Sequence, residues 1–185
     1  LEILNFARNA ESAEYKAALA EIAQLSGTSP TPGDRPGLYA FRLDAKAASS
    51  FLDEHHARLR DRGCYVFLYE QNFGIRGEAD VLWILPTKDK FAVMAFTGVD
   101  GINYDIDNYL VIRWMKKLDQ DHSFLLTGCG RDFLSGHFAA KLSDVDAMAK
   151  RMYAFCPDIV DQGAGSVRAL ANEIQRTNAM YFWWD

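Results

Sequence analysis

The chain ends on Ala179-Met180-Tyr181-Phe182-Trp183-Trp184-Asp185, and this ending restricts the fold more than any other stretch. Chain termini are ordinarily polar and frayed. Side chains alternate across a strand, and here both alternations are apolar. Tyr181 and Trp183 fall on one side, Met180, Phe182 and Trp184 on the other. Residues 179–184 therefore predict a strand tied into the fold, either inside a covered sheet or in a partner's groove. One of its faces is expected in the core, and the other as the wall of a pocket.

The stretches upstream supply the layers around it. Tyr15, Ala18, Leu19, Ile22 and Leu25 recur at helical spacing over residues 10–25. Residues 26–37 hold three prolines and three glycines and read as a loop or linker. The expected organisation is an N-terminal helical extension over 1–26, a linker over 27–37 and one globular domain over 38–185. Strands are predicted over 38–43, 64–69, 81–85, 124–127 and 133–139, from their Val, Tyr, Phe and Trp content. A helix runs from an Asp44 cap to a Gly63 stop, with Ala48, Leu52, His55 and Leu59 inward, His55 half-buried and His56 exposed. Further helices are expected over 87–97, over 107–119, from a Ser143 cap to Pro157, and from Ser166 onward. Gly128-Cys129-Gly130 reads as a turn. The mixed order of elements gives an α+β (mixed α/β) fold, with a central, mostly buried sheet of about five to six strands flanked by helices.

The formal net charge of −5 argues against a nucleic-acid backbone as partner. No apolar run reaches the roughly 18–20 residues of a membrane span. Residues 1–8 are too short and too polar for a signal peptide. Cys64, Cys129 and Cys156 are odd in number and lack paired spacing, which points to reduced thiols and a cytoplasmic location.

Three blocks carry a resemblance. The first is Gly63-Cys64-Tyr65-Val66-Phe67 with Glu70-Gln71-Asn72-Phe73-Gly74. The second runs from Thr87-Lys88-Asp89-Lys90-Phe91 to Gly101-Ile102-Asn103-Tyr104-Asp105-Ile106. The third is Phe155-Cys156-Pro157-Asp158 with Asp161-Gln162-Gly163 and the terminal Trp183-Trp184-Asp185. Over residues 38–185 the chain resembles the bacterial family known as domain of unknown function 4253. The resemblance implies a bacterial, cytosolic, single compact domain, and supplies neither a reaction nor catalytic residues.

The residues themselves offer several candidate sites. Cys156 with His137 or His122 has the composition of a thiol nucleophile and its base. Its place on an apolar helical stripe, near a helix C-terminus, makes it a core cysteine instead. Asn103, Asp105 and Asp107 alternate as oxygen ligands do, but without the glycine and closing Glu of a calcium loop, so Asp105 or Asp107 is read as a helix cap. Asp158, Asp161 and Gln162 occupy a loop after Pro157, and Glu70 and Asn72 follow a strand end; both are places where α/β folds put binding groups. Trp184 and Asp185 are expected at the rim of a pocket. The candidate binding residues are thus Glu70, Asn72, Asn103, Tyr104, Asp105, Asp158, Asp161, Gln162, Trp184 and Asp185. Phosphate-loop, zinc and nucleophile-elbow spacings are absent from the sequence, and neither a metal nor a cofactor is expected.

Two functions fit these residues. One is a protein-binding module of the immunity type, neutralising a co-encoded toxin through acidic and aromatic contacts without catalysis. The other is a small-molecule sensor or enzyme with a polar pocket of Glu70, Asn103, Asp158 and Asp161. Monomer and homodimer are both compatible with the sequence.

Overall fold

The computed structural model describes residues 3–185, with side chains from Asn5 onward. Leu1 and Glu2, where the expected extension begins, lie outside the described residues. The chain forms two compact units that meet at Phe96 and Thr97.

The first unit contains α1 (Ile3–Ala10), α2 (Ala13–Ser26), β1 (Thr31–Pro32), β2 (Tyr39–Leu43), α3 (Ala45–Asp61), β3 (Tyr65–Glu70), β4 (Asp80–Leu85) and α4 (Lys90–Thr97), which ends at the boundary. Its strands run β1-β2-β4-β3, each pair antiparallel. The helix expected from residue 10 breaks at Glu11–Ser12 and restarts, because the Ser12 side chain accepts from the Tyr15 amide and caps α2. Tyr15, Ala18 and Ile22 are buried, whereas Leu25 is exposed. The Tyr15 hydroxyl donates to the carbonyls of Gly37 (2.7 Å) and Ile84 (3.3 Å), so the stripe of α2 packs within its own unit. The Pro/Gly-rich stretch is not wholly irregular. Thr31 and Pro32 pair with Ala40 and Tyr39, adding a strand the sequence did not reveal.

Asp44 caps α3 as expected, accepting from the Ala47 amide. The inward face departs from the prediction at His56, expected exposed but buried with Phe51 beside Ala48, Leu52 and Leu59, whereas His55 is half-buried as expected. Position 56 lies four residues after Leu52 and three before Leu59, so it continues the stripe that position 55 only borders.

The second unit contains a 3-10 turn over Ile102–Tyr104, α5 (Asn108–Asp121), β5 (Phe124–Cys129), β6 (Phe133–Phe138), α6 (Val145–Phe155), a π-helical turn over Ile159–Ala164, α7 (Val167–Thr177) and β7 (Ala179–Trp183). Its strands run β5-β6-β7, antiparallel throughout. Asp107 and Ser166 cap α5 and α7, each accepting from an amide three residues on. The cap of α6 is Asp144 rather than Ser143, since its carboxylate accepts from the Ala147 amide. Gly128 and Cys129 are not a turn. They extend β5 past a bulge after Leu126, and the chain reverses at Gly130–Asp132.

Met180, Phe182 and Trp184 form the buried side of the terminal strand. Phe182 meets Trp114 of α5 and Phe155 of α6 edge-on. The opposite side is only partly covered: Tyr181 stacks on Phe133 and remains 37% exposed. A groove of about 290 Å³ beside α7 is lined by Met180 as well as by Tyr181 and Trp183, so residues from both sides of the strand border it, not one face alone.

Candidate functional site: an acidic-aromatic loop and its carboxylate clasp

In the second unit, three donors meet at Asp158. One carboxylate oxygen accepts from the Tyr104 hydroxyl at 2.5 Å and from the Gln162 amide at 3.1 Å. The other accepts from the backbone amide of Asp185 at 3.0 Å. Asp158 directly follows Pro157, where α6 has ended, and leads into the π-helical turn that positions Gln162 one turn on. The residue is 2% exposed. Burial works against its charge, but the three donors outweigh burial and hold the carboxyl below its ordinary value. The same bond pushes the Tyr104 phenol up to about 12. The cluster is an ionised, fully engaged clasp: it ties the loop carrying Tyr104 to the chain's last residue.

The loop itself is closed at its base by a bridge between Gly101 and Ile106. Trp184 is stacked against this base, so close that a side chain at Gly101 would meet its indole at 2.7 Å. Outward, the loop and the start of α5 present Ile102, Tyr104, Tyr109 and Leu110, 67%, 39%, 68% and 40% exposed. Interleaved with them are Asn103, Asp105 and Asp107. Asp105 sits at a positive φ of 56°, which an aspartate tolerates better than most residues.

Of the residues read from the sequence, Tyr104, Asp158, Gln162 and Asp185 are brought together. Asn103 and Asp105 lie on the exposed loop beside Tyr104. Asp161 accepts from the Tyr153 hydroxyl at 3.1 Å. Trp184 is core rather than rim, 3% exposed. Glu70 and Asn72 belong to the first unit. There the Asn72 amide is bonded by Asp80 and its side chain donates to the Ala79 carbonyl, while Glu70 is exposed. Sequence reading missed Ile102, Tyr109 and Leu110. Their signal was available: all three stand outside the Val111, Met115 and Leu118 stripe that fixes the buried face of α5.

The thiols have no access to reactants. Burial pushes Cys64, Cys129 and Cys156 up to about 12. Cys156 donates to the Trp183 carbonyl at 2.9 Å, the core role expected of it. Among the described residues no three His, Cys, Asp or Glu side chains are grouped to hold a metal ion. Nor is any helix among them long and apolar enough to cross a membrane.

These features define an α+β protein whose second unit presents exposed apolar side chains on a short acidic loop braced by Asp158, Trp184 and Asp185. Residues 81–185 match the family described as domain of unknown function (DUF4253), and the chain belongs to that family. The match takes in the second and third blocks of sequence described above. No curated protein and no solved structure matches the chain.

Proposed function

We propose that this protein is a protein-binding module of the immunity type, which neutralises a co-encoded toxin through residues 102–110 and carries out no catalysis of its own. The observation behind this reading is the exposure of Ile102, Tyr104, Tyr109 and Leu110 within nine consecutive residues. Protein interfaces draw most of their energy from a few large side chains, Tyr prominent among them, surrounded by a polar rim. The loop side of the rim is acidic, while along α5 Tyr109 also lines a groove with Arg113, Lys116 and Lys117. Residues 97–110 hold Asp100, Asp105 and Asp107 and no lysine or arginine, which suits a basic partner and speeds its association. The Asp158–Tyr104 bond fixes one anchor before binding, which reduces the ordering cost of association. The state of Asp158 also favours binding over acid–base chemistry: its carboxylate is occupied by three internal donors and held ionised.

Co-expression tests the reading. The product of the neighbouring gene is expressed in a naive bacterial host with and without this protein. The expected result is growth arrest by the neighbour alone, rescue by this protein, and co-purification of the two. Tyr109→Ala with Ile102→Ala is expected to weaken rescue at unchanged thermal stability, since truncating hot-spot residues costs about 2 kcal/mol or more each. A harmless neighbour that does not co-purify contradicts the reading.

A further inference from the structure

The first unit carries a second, chemically different surface. β3 has a bulge between Leu68 and Glu70: Leu68 aligns with Leu82, and Glu70 with Val81. A bulge adds one residue to a strand and re-aims its side chains. Tyr69, the added residue, lies flat on Trp83 of β4, with ring centroids 3.3 Å apart and planes 7° from parallel. Arg42 of β2 aligns with the same Val81 from the other side. Aligned residues share a face, and Trp83, two positions on from Val81, shares it too. Arg42, Tyr69, Glu70 and Trp83 together line a groove of about 510 Å³, with Thr28, Ser29 and Thr31 along it. Small-molecule sites commonly span roughly 300–1,000 Å³.

The charges in this groove are unspent. Arg42 and Glu70 are both exposed, and neither side chain has an ion-pair or hydrogen-bond partner among the described residues. Their backbones stand two strand spacings apart, roughly 9–10 Å. A guanidinium and a carboxylate at that separation, flanking an aromatic stack, complement a ligand that carries both charges at its two ends. A carboxylate beside aromatic rings takes a cation, and a guanidinium fork takes a carboxylate.

We propose that this groove binds a basic amino acid, with the cationic end held by Glu70 and the Tyr69–Trp83 stack and the α-carboxylate held by Arg42. The site lies in the first unit and does not depend on the toxin-binding reading.

Calorimetric titration of the full chain with L-arginine tests it, with agmatine, the same guanidinium without the carboxylate, as comparison. One saturable site for L-arginine is expected. Agmatine should bind about tenfold more weakly, the loss of one charge-assisted contact. Glu70→Gln should weaken both ligands about tenfold, whereas Arg42→Gln should weaken L-arginine alone. Absence of saturable binding by L-arginine overturns the proposal, as does equal affinity for agmatine in the wild-type chain. The agmatine comparison needs no variant, so a misfolded substitution cannot mask the outcome.

Discussion

His56 is buried completely, edge-on to Tyr65, and both of its ring nitrogens lack a hydrogen-bond partner among the described residues. Burial lowers its value to about 4, with the nearby Arg60 adding to the effect and Asp61 opposing it. The unfolded chain, with an ordinary histidine near 6.5, then binds more protons than the folded one between those two values. Stability due to this residue is therefore full above pH 6.5 and falls as pH drops toward 4, by about 3 kcal/mol at pH 4. Denaturant unfolding of the wild type and of His56→Phe at pH 7 and pH 4 checks this. The wild type should lose about 3 kcal/mol more than the variant on acidification. Equal losses would mean that the imidazole is protonated or solvated in the folded protein. At this scale the sequence was an uneven guide. Asp158 stood out as an acid placed after a helix-ending proline, and it proved to be a meeting point. His56 was read as exposed, because two adjacent histidines compete for one stripe and only the phase set by Phe51, Leu52 and Leu59 decides between them.

Most secondary-structure elements were legible because caps and stripes agree. Asp44, Asp107 and Ser166 each begin a helix where an oxygen side chain precedes an apolar periodicity. What the sequence concealed were the elements with weak periodicity. β1 is two residues within a proline-rich stretch, and the π-helical turn follows Pro157 with no apolar repeat of its own. The contact between the exposed loop and the chain end was likewise hidden, because it joins Gly101 to Trp184 across 83 positions and depends on the absence of a side chain. A Cβ at Gly101 would stand 2.7 Å from an indole that is itself 3% exposed and stacked on Phe182. Gly101→Ala should therefore displace loop and indole together and cost about 1–3 kcal/mol, the usual range for overpacking. Thermal denaturation, with near-ultraviolet dichroism for the Trp environment, measures it. An unchanged midpoint and spectrum would show that the loop is not seated on Trp184.

At the scale of the whole molecule, two surfaces differ in chemistry. One is an acidic loop with exposed Ile102, Tyr104, Tyr109 and Leu110 in the second unit, assigned to a protein partner. The other is the charged aromatic groove of the first unit, assigned to a small zwitterion. The net charge of −5 agrees with a basic partner and favours rapid, salt-sensitive association. The fold class was readable from the order of the elements, but the use of each surface was not. Exposure of a large apolar residue is a property of the packed chain: the α5 stripe sets Tyr109 outside the buried face, but only the packing leaves it 68% exposed.

The most direct measurement is hydrogen exchange on this protein, free and mixed with the product of the neighbouring gene. Amides over residues 102–110 should exchange more slowly in the mixture, by tenfold or more for a complex tighter than about 1 μM at working concentration. Unchanged exchange over 102–110, with protection elsewhere or nowhere, would contradict the assignment of this loop as the binding surface.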